Sequence, residues 1–171
     1  MGFDLISYME DVAKTHRSIG HTLASPKFFR CTGIGNVEEL LQNMSSAQGT
    51  IIMADINLGG TIFGETESFS DQPAFTYYVI KQASFSDLEE QSMIKQECKT
   101  LGLAILAKLK YDRYQDNFNS GVNGLKALDL TRIPYDTIGP IANHWYGCMF
   151  TFRLNVKASD SGMVYNAEDY E

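Results

Sequence analysis

The sequence has little of what would announce a chemistry. Its 171 residues hold three cysteines, with no C-x-x-C and no paired spacing. That excludes a disulfide framework and a zinc site built on cysteine pairs, and an odd count fits a reducing compartment. No apolar run approaches the length of a membrane span, and M-G-F-D-L-I-S-Y-M-E-D at the start places an acid where a secretory signal needs its apolar core. A cytoplasmic protein without a membrane partner is expected. Fourteen Lys and Arg stand against 21 Asp and Glu, a formal charge of −7. A protein that grips nucleic acid by its phosphates needs clustered bases on one face, so specific nucleic-acid binding is not expected. Internal repeats and low-complexity blocks are absent too.

The residues that could carry chemistry do not assemble into a site. His16 and His21 are five apart, on different faces of a helix, so they make no metal pair. Cys98 falls on an apolar helical stripe and Cys148 is in phase with Phe150 and Phe152, which predicts two buried, inert thiols. Cys31 lies near His21 in sequence but lacks an orienting third group and an oxyanion feature. The G-x-G at Gly33 and Gly35 has no third glycine and no βαβ unit after it, so the glycines are assigned to a turn. A-D-I-N-L-G-G-T (54–61) is similar to the phosphate loop of sugar kinases and actin-like ATPases, but Asn57 and Leu58 stretch the spacing and the chain is too short for two lobes. Asp55 is read instead as an acid at a sheet edge or paired across strands. No catalytic residue, cofactor-binding residue or metal ligand is expected, and the chain is not read as an enzyme.

What is present is a strong architectural pattern. The longest periodic stretch runs from Phe85 to Asp112 and predicts a helix, with Ser86 and Glu89 as capping box and Lys108 and Lys110 near its end. Ile94, Cys98, Leu101, Ile105 and Leu109 draw one apolar stripe, which Leu103, Ala104, Leu106 and Ala107 are expected to widen. Leu5, Met9, Val12 and Ile19 predict a first helix within 3–21, with Asp4 near its start and Gly20 at its end. K-F-F-R-C is a short strand, and Asn36 with Glu39 opens a short second helix.

T-I-I-M-A-D-I-N-L (50–58), F-T-Y-Y-V-I-K-Q-A (75–83), G-L-K-A-L-D-L-T-R (124–132) and 146–157 are the remaining strands. The last alternates strictly, with Cys148, Phe150, Phe152, Leu154 and Val156 on one face. Residues 133–143 are read as an irregular connection, and 59–74 as a long loop carrying Ile62, Phe63 and Phe69. The predicted class is α+β: an antiparallel sheet of about four strands, the long helix crossing one face and the N-terminal helix beside it. Residues 1–158 form one domain, and 159–171 an acidic tail with Tyr165 and Tyr170 as anchors.

The order I-I-M-A-D-I-N, T-Y-Y-V-I-K-Q, S-D-L-E-E to L-K-Y, A-L-D-L-T-R and W-Y-G-C-M-F-T-F-R-L-N-V, over roughly 3–157, resembles the small α+β proteins of tailed-phage necks and tail ends, the tail terminator and tail completion family. The likeness is one of element order. The short strand and helix at 28–45 and the acidic tail depart from it. The resemblance implies a non-catalytic virion subunit that forms a homo-oligomeric ring with other neck or tail proteins, made in the host cytoplasm. Ile62, Phe63, Phe69, Tyr165 and Tyr170 are then the interface candidates, and Glu65, Glu67 and Asp71 the acids facing a DNA channel. The alternative is a cytoplasmic module that binds a small ligand or peptide at the 59–74 loop and the edge at Trp145 and Tyr146.

Overall fold

One 15-residue strand runs through the middle of the sheet, and two helices cover one of the sheet's faces. The computed structural model describes residues 3–33, 44, 47–56, 59–65, 68–118, 124–142 and 144–157, with backbone alone at 65 and 116–118. Its elements are α1 (Leu5–Thr15), β1 (Phe28–Cys31), β2 (Ile51–Asp55), β3 (Gly59–Glu65), β4 (Ser68–Gln82), α2 (Leu88–Phe118), β5 (Leu128–Asp129), β6 (Tyr135–Ile141), β7 (Trp145–Leu154) and β8 (Val156–Lys157). The expected class, α+β, is observed. The expected helix of Asn36 and Glu39 and the tail of 159–171, with Tyr165 and Tyr170, lie outside the described residues.

β4 is the spine. Along one edge it pairs antiparallel with β2 (Ile51 opposite Ile80) and then with β3 (Gly59 opposite Ala74, Glu65 opposite Ser68). Along the other it pairs with β7 (Gln82 opposite Trp145, Ala74 opposite Arg153) and, in the same register, with β8 (Ser70 opposite Lys157). The Gln72 amide donates to the Asn155 side chain where β7 gives way to β8. β6 and β5 border β7 on its far side, and β1 runs parallel to β2 at the opposite edge. The sheet is therefore mixed and has eight strands among the described residues, more than the four antiparallel strands expected.

Three further expectations are corrected. Residues 59–74 are not a loop: β2 and β3 run antiparallel along β4 as one long hairpin, whose last pair is Glu65 opposite Ser68. Gly64 lets the two strands approach at this end, because a Cβ there would lie 2.1 Å from the Ser68 carbonyl oxygen. The 133–143 connection contains strand β6, whose register with β7 slips between Ile138 and Ile141, around Gly139 and Pro140. Of the strand expected over 124–132, only Leu128–Asp129 pairs; Leu125–Ala127 is a 3-10 turn.

The alternation expected along β7 is observed. Cys148, Phe150, Phe152 and Leu154 are buried on the helix side. They join Phe75, Tyr77 and Val79 of β4, with Tyr77 stacked on Phe150 at 5.2 Å and Phe75 on Phe152 at 5.5 Å. The opposite face buries Ile51, Met53, Tyr78, Ile80 and Trp145 against Met44 and Ala47. The interior thus has two layers divided by the sheet.

α2 starts one residue later than its expected cap. Asp87, not Ser86, receives the backbone N–H groups of Glu89 (3.0 Å) and Glu90 (2.9 Å), and Glu90 in turn accepts from the Ser84 N–H at 2.8 Å. Both S-x-x-E and D-x-x-E fit the sequence, and the ionised carboxylate is the stronger acceptor at a helix N-terminus. Gln91 closes the joint from β4 by donating to the Ser84 and Phe85 carbonyls, each at 2.9 Å.

Ile94, Cys98, Ile105 and Leu109 face the sheet as expected, but Leu103, Ala104 and Ala107 do not widen that stripe: they are exposed. The cause is Gly102, where the helix comes so close to the sheet that a Cβ would lie 2.0 Å from the Phe150 ring. The Tyr77 hydroxyl donates to the Gly102 carbonyl at 2.9 Å at the same place. A helix this close needs only a narrow stripe.

α1 is capped by Asp4, which accepts from Ile6 N–H at 3.0 Å and Ser7 N–H at 3.1 Å. It ends at Thr15, well before Gly20, with His16 as C-cap. Far along α2, Asp112 accepts from Tyr8 at 2.6 Å and from Lys108 at 2.7 Å, which ties the two helices together. Burial, then the bond to Asp112, pushes the Tyr8 phenol well above its usual range.

Candidate functional site

The outer half of the long hairpin projects beyond the packed centre of the sheet. From Ala83 back to Phe75, β4 has β2 on one side and β7 on the other, and helices above it. From Pro73 back to Ser68 it has β3 on one side and only two residues of β8 on the other. Every described residue of β3 whose burial is known is exposed, Gly59 to Gly64. Seven residue pairs at about 3.3 Å each make an arm of roughly 20 Å.

Three large apolar side chains stand exposed on this arm, Ile62 (55%), Phe63 (45%) and Phe69 (43%). The register sorts them. Ile62 is opposite Asp71 and Gly64 is opposite Phe69, so Ile62, Phe69 and Asp71 share one face; Phe63, opposite Ser70, is on the other. In β4 that first face is the one that Phe75, Tyr77 and Val79 continue toward the helices. Asp71 is accordingly part of the same surface as two of the apolar interface candidates. Glu65 ends β3 opposite Ser68, and Glu67 lies outside the described residues.

A second unpartnered surface runs along α2. Lys95, Lys99, Leu103, Ala107 and Tyr111 follow at four-residue steps, half-buried at the two lysines and exposed beyond them, and Tyr114 extends the row. Lys99 lies with its Nζ 4.7 Å from the centre of the Tyr135 ring, and Lys95 5.6 Å from that of Tyr146. The Tyr135 hydroxyl raises the Lys99 pKa by hydrogen bonding. Both lysines, Tyr135 and Thr137 also line an open groove of about 1010 Å3 that extends along α2 to Met93 and Leu101. Periodicity alone does not reveal this outer row, since it predicts Leu103 and Ala107 on the sheet-facing side. The mid-helix glycine was the available signal, because Gly in a helix interior costs about 1 kcal/mol and marks a close approach.

The remaining chemistry-bearing residues make local contacts or are buried. His16 Nδ1 accepts from the Ser18 N–H at 3.2 Å and His21 Nδ1 from the Lys27 N–H at 2.9 Å. His21 packs by Phe28 on the helix-side face, whereas Cys31 points into the opposite layer, so the two are not brought together. All three cysteines are buried free thiols. Burial pushes Cys98 up to about 12 and also raises Cys148. Asp55 is half-buried at the end of β2 and accepts from the Tyr78 hydroxyl at 3.3 Å, a bond across strands of the kind expected. Gly33 turns the chain beside it with φ of 84°; Gly35 lies outside the described residues. Among the described residues no group of three or more His, Cys, Asp or Glu is placed to hold a metal ion, and no helix is long and apolar enough to cross a membrane. Trp145 and Tyr146, expected at an edge, are 2% exposed and belong to the core. No protein-family model matches the chain, and no curated protein matches it in sequence.

Proposed function

We propose that the chain is a structural subunit of a phage or prophage particle, a ring-forming tail terminator or head–tail joining protein. The observation that carries the proposal is the arm: a two-stranded extension with three exposed apolar side chains, built onto a sheet whose centre is buried on both faces. A solitary hairpin is marginal in water, and an exposed apolar edge invites pairing, so such an extension earns its place by contact with another molecule. Ile62, Phe63 and Phe69 supply that contact, with Tyr165 and Tyr170 of the C-terminal stretch as further anchors. In a ring around DNA, acids such as Glu65 and Glu67 would keep the lumen from gripping passing phosphates by like-charge repulsion. The subunit would be made in the host cytoplasm and end in the virion.

The open groove along α2 favours a second reading, a cytoplasmic module that binds a small ligand or peptide. Light scattering over a concentration series, with negative-stain images of any large species, separates the two. Closed rings of uniform size support the particle subunit. A monomer at every concentration overturns the ring and directs attention to the groove.

A further inference from the structure

The charges of this chain are divided by region. Residues 31–80, which include the arm, contain no Lys or Arg and six acids: Glu38, Glu39, Asp55, Glu65, Glu67 and Asp71. Residues 95–113 of α2 contain five bases and two acids. Both acids are already engaged, Glu97 with Lys81 at 2.8 Å and Asp112 with Lys108 and Tyr8. Lys95, Lys99 and Lys110 therefore have no carboxylate partner among the described residues. Lys95 and Lys99 stand in the same row as the exposed Leu103 and Tyr111. The arm repeats this pairing of features with the opposite sign, since Asp71 shares its face with Ile62 and Phe69.

We propose that the Lys95 and Lys99 flank of α2, continued by Leu103 and bordered by Tyr135, receives the hairpin arm of a second copy of this chain, with Asp71 against the lysines and Ile62 and Phe69 against the apolar row. The proposal deepens the ring reading and rests on it. Two chemically complementary patches at different places on one subunit make a head-to-tail contact, and such a contact closes into a ring or runs on as a filament. Opposite charges beside an apolar centre fix the register and suppress wrong partners, here the arm against another acidic arm. Tyr135 holds the Lys99 ammonium on the surface before the partner arrives, which lowers the ordering cost of docking.

The test uses the full chain and charge exchange. The double variant Lys95→Glu with Lys99→Glu, the variant Asp71→Lys, and a chain carrying all three changes are compared with the parent by light scattering over a concentration series at low and high salt. Each reversal is expected to raise the concentration needed for assembly by about tenfold or more, and the combination to recover most of that loss. Salt should weaken the parent's assembly. Thermal melts check that each variant is folded; Lys95→Gln with Lys99→Gln replaces the first variant if it is not. Parent rings with all variants assembling alike, or with no recovery in the combined chain, overturn this docking site and leave the ring standing. A monomeric parent overturns both.

Discussion

β4 is a single strand of 15 residues that lives in two environments. Its inner half, from Phe75 to Ile80, is buried on one or both faces and stitched to β2 and β7. Its outer half, from Ser68 to Pro73, is paired with β3 and touched by two residues of β8, and none of its residues is buried. Hydrogen-bonded geometry is the same in both. What differs is what lies above and below; buried apolar area supplies most of a sheet's stability, so the inner half is expected to carry it. On the proposed reading, the packed body carries the stability and the unpacked extension is left to make contacts.

Substitutions should follow that division. The largest loss is expected in the inner half: Phe150→Ala removes a fully buried ring that stacks on Tyr77 and meets α2 at Gly102, and should cost about 3–5 kcal/mol by chemical denaturation. Gly102→Ala drives a methyl into that same ring. The overpacking penalty exceeds the gain in helix propensity, for a net loss of about 1–2 kcal/mol. A neutral or stabilising Gly102→Ala would mean that α2 does not pack this closely.

Asp4→Ala should cost about 1 kcal/mol near neutral pH by removing the cap of α1. Hydrogen bonds from the Ser7 side chain and backbone hold the Asp4 carboxyl below its ordinary 3.8. A depressed folded value means that the contribution is present above about 4 and is lost as pH falls through the folded value, so the parent and the variant should converge in acid. Smallest of all is the outer half: Ile62→Ser with Phe69→Ser should leave stability within about 0.5 kcal/mol.

Legibility in the sequence follows the same line. β7 alternates because one face of it is buried deeply, so Cys148, Phe150 and Phe152 announced their side correctly. The stripe of Ile94, Cys98, Ile105 and Leu109 did so for the same reason. The arm and β6 were read as irregular because a strand exposed on both faces has no period to show, and Gly59, Gly60, Gly64, Pro73, Gly139 and Pro140 depress strand propensity. Leu103, Ala104 and Ala107 were assigned to the core because hydrophobicity does not say which neighbour it faces. Ile62, Phe63 and Phe69 were found as exposed aromatics and aliphatics, but their division between two faces needed the register. The lysine row needed α2's depth against the sheet, which Gly102 sets.

The most direct measurement of the central claim is the solution mass of the parent beside the Ile62→Ser, Phe69→Ser variant, by light scattering over the same concentrations, with a melt of each. The account predicts a multi-subunit parent and a monomeric variant of unchanged stability. A variant that assembles as the parent does, or one that is monomeric only because it has lost its fold, would contradict the division between a packed body and a contact-making arm.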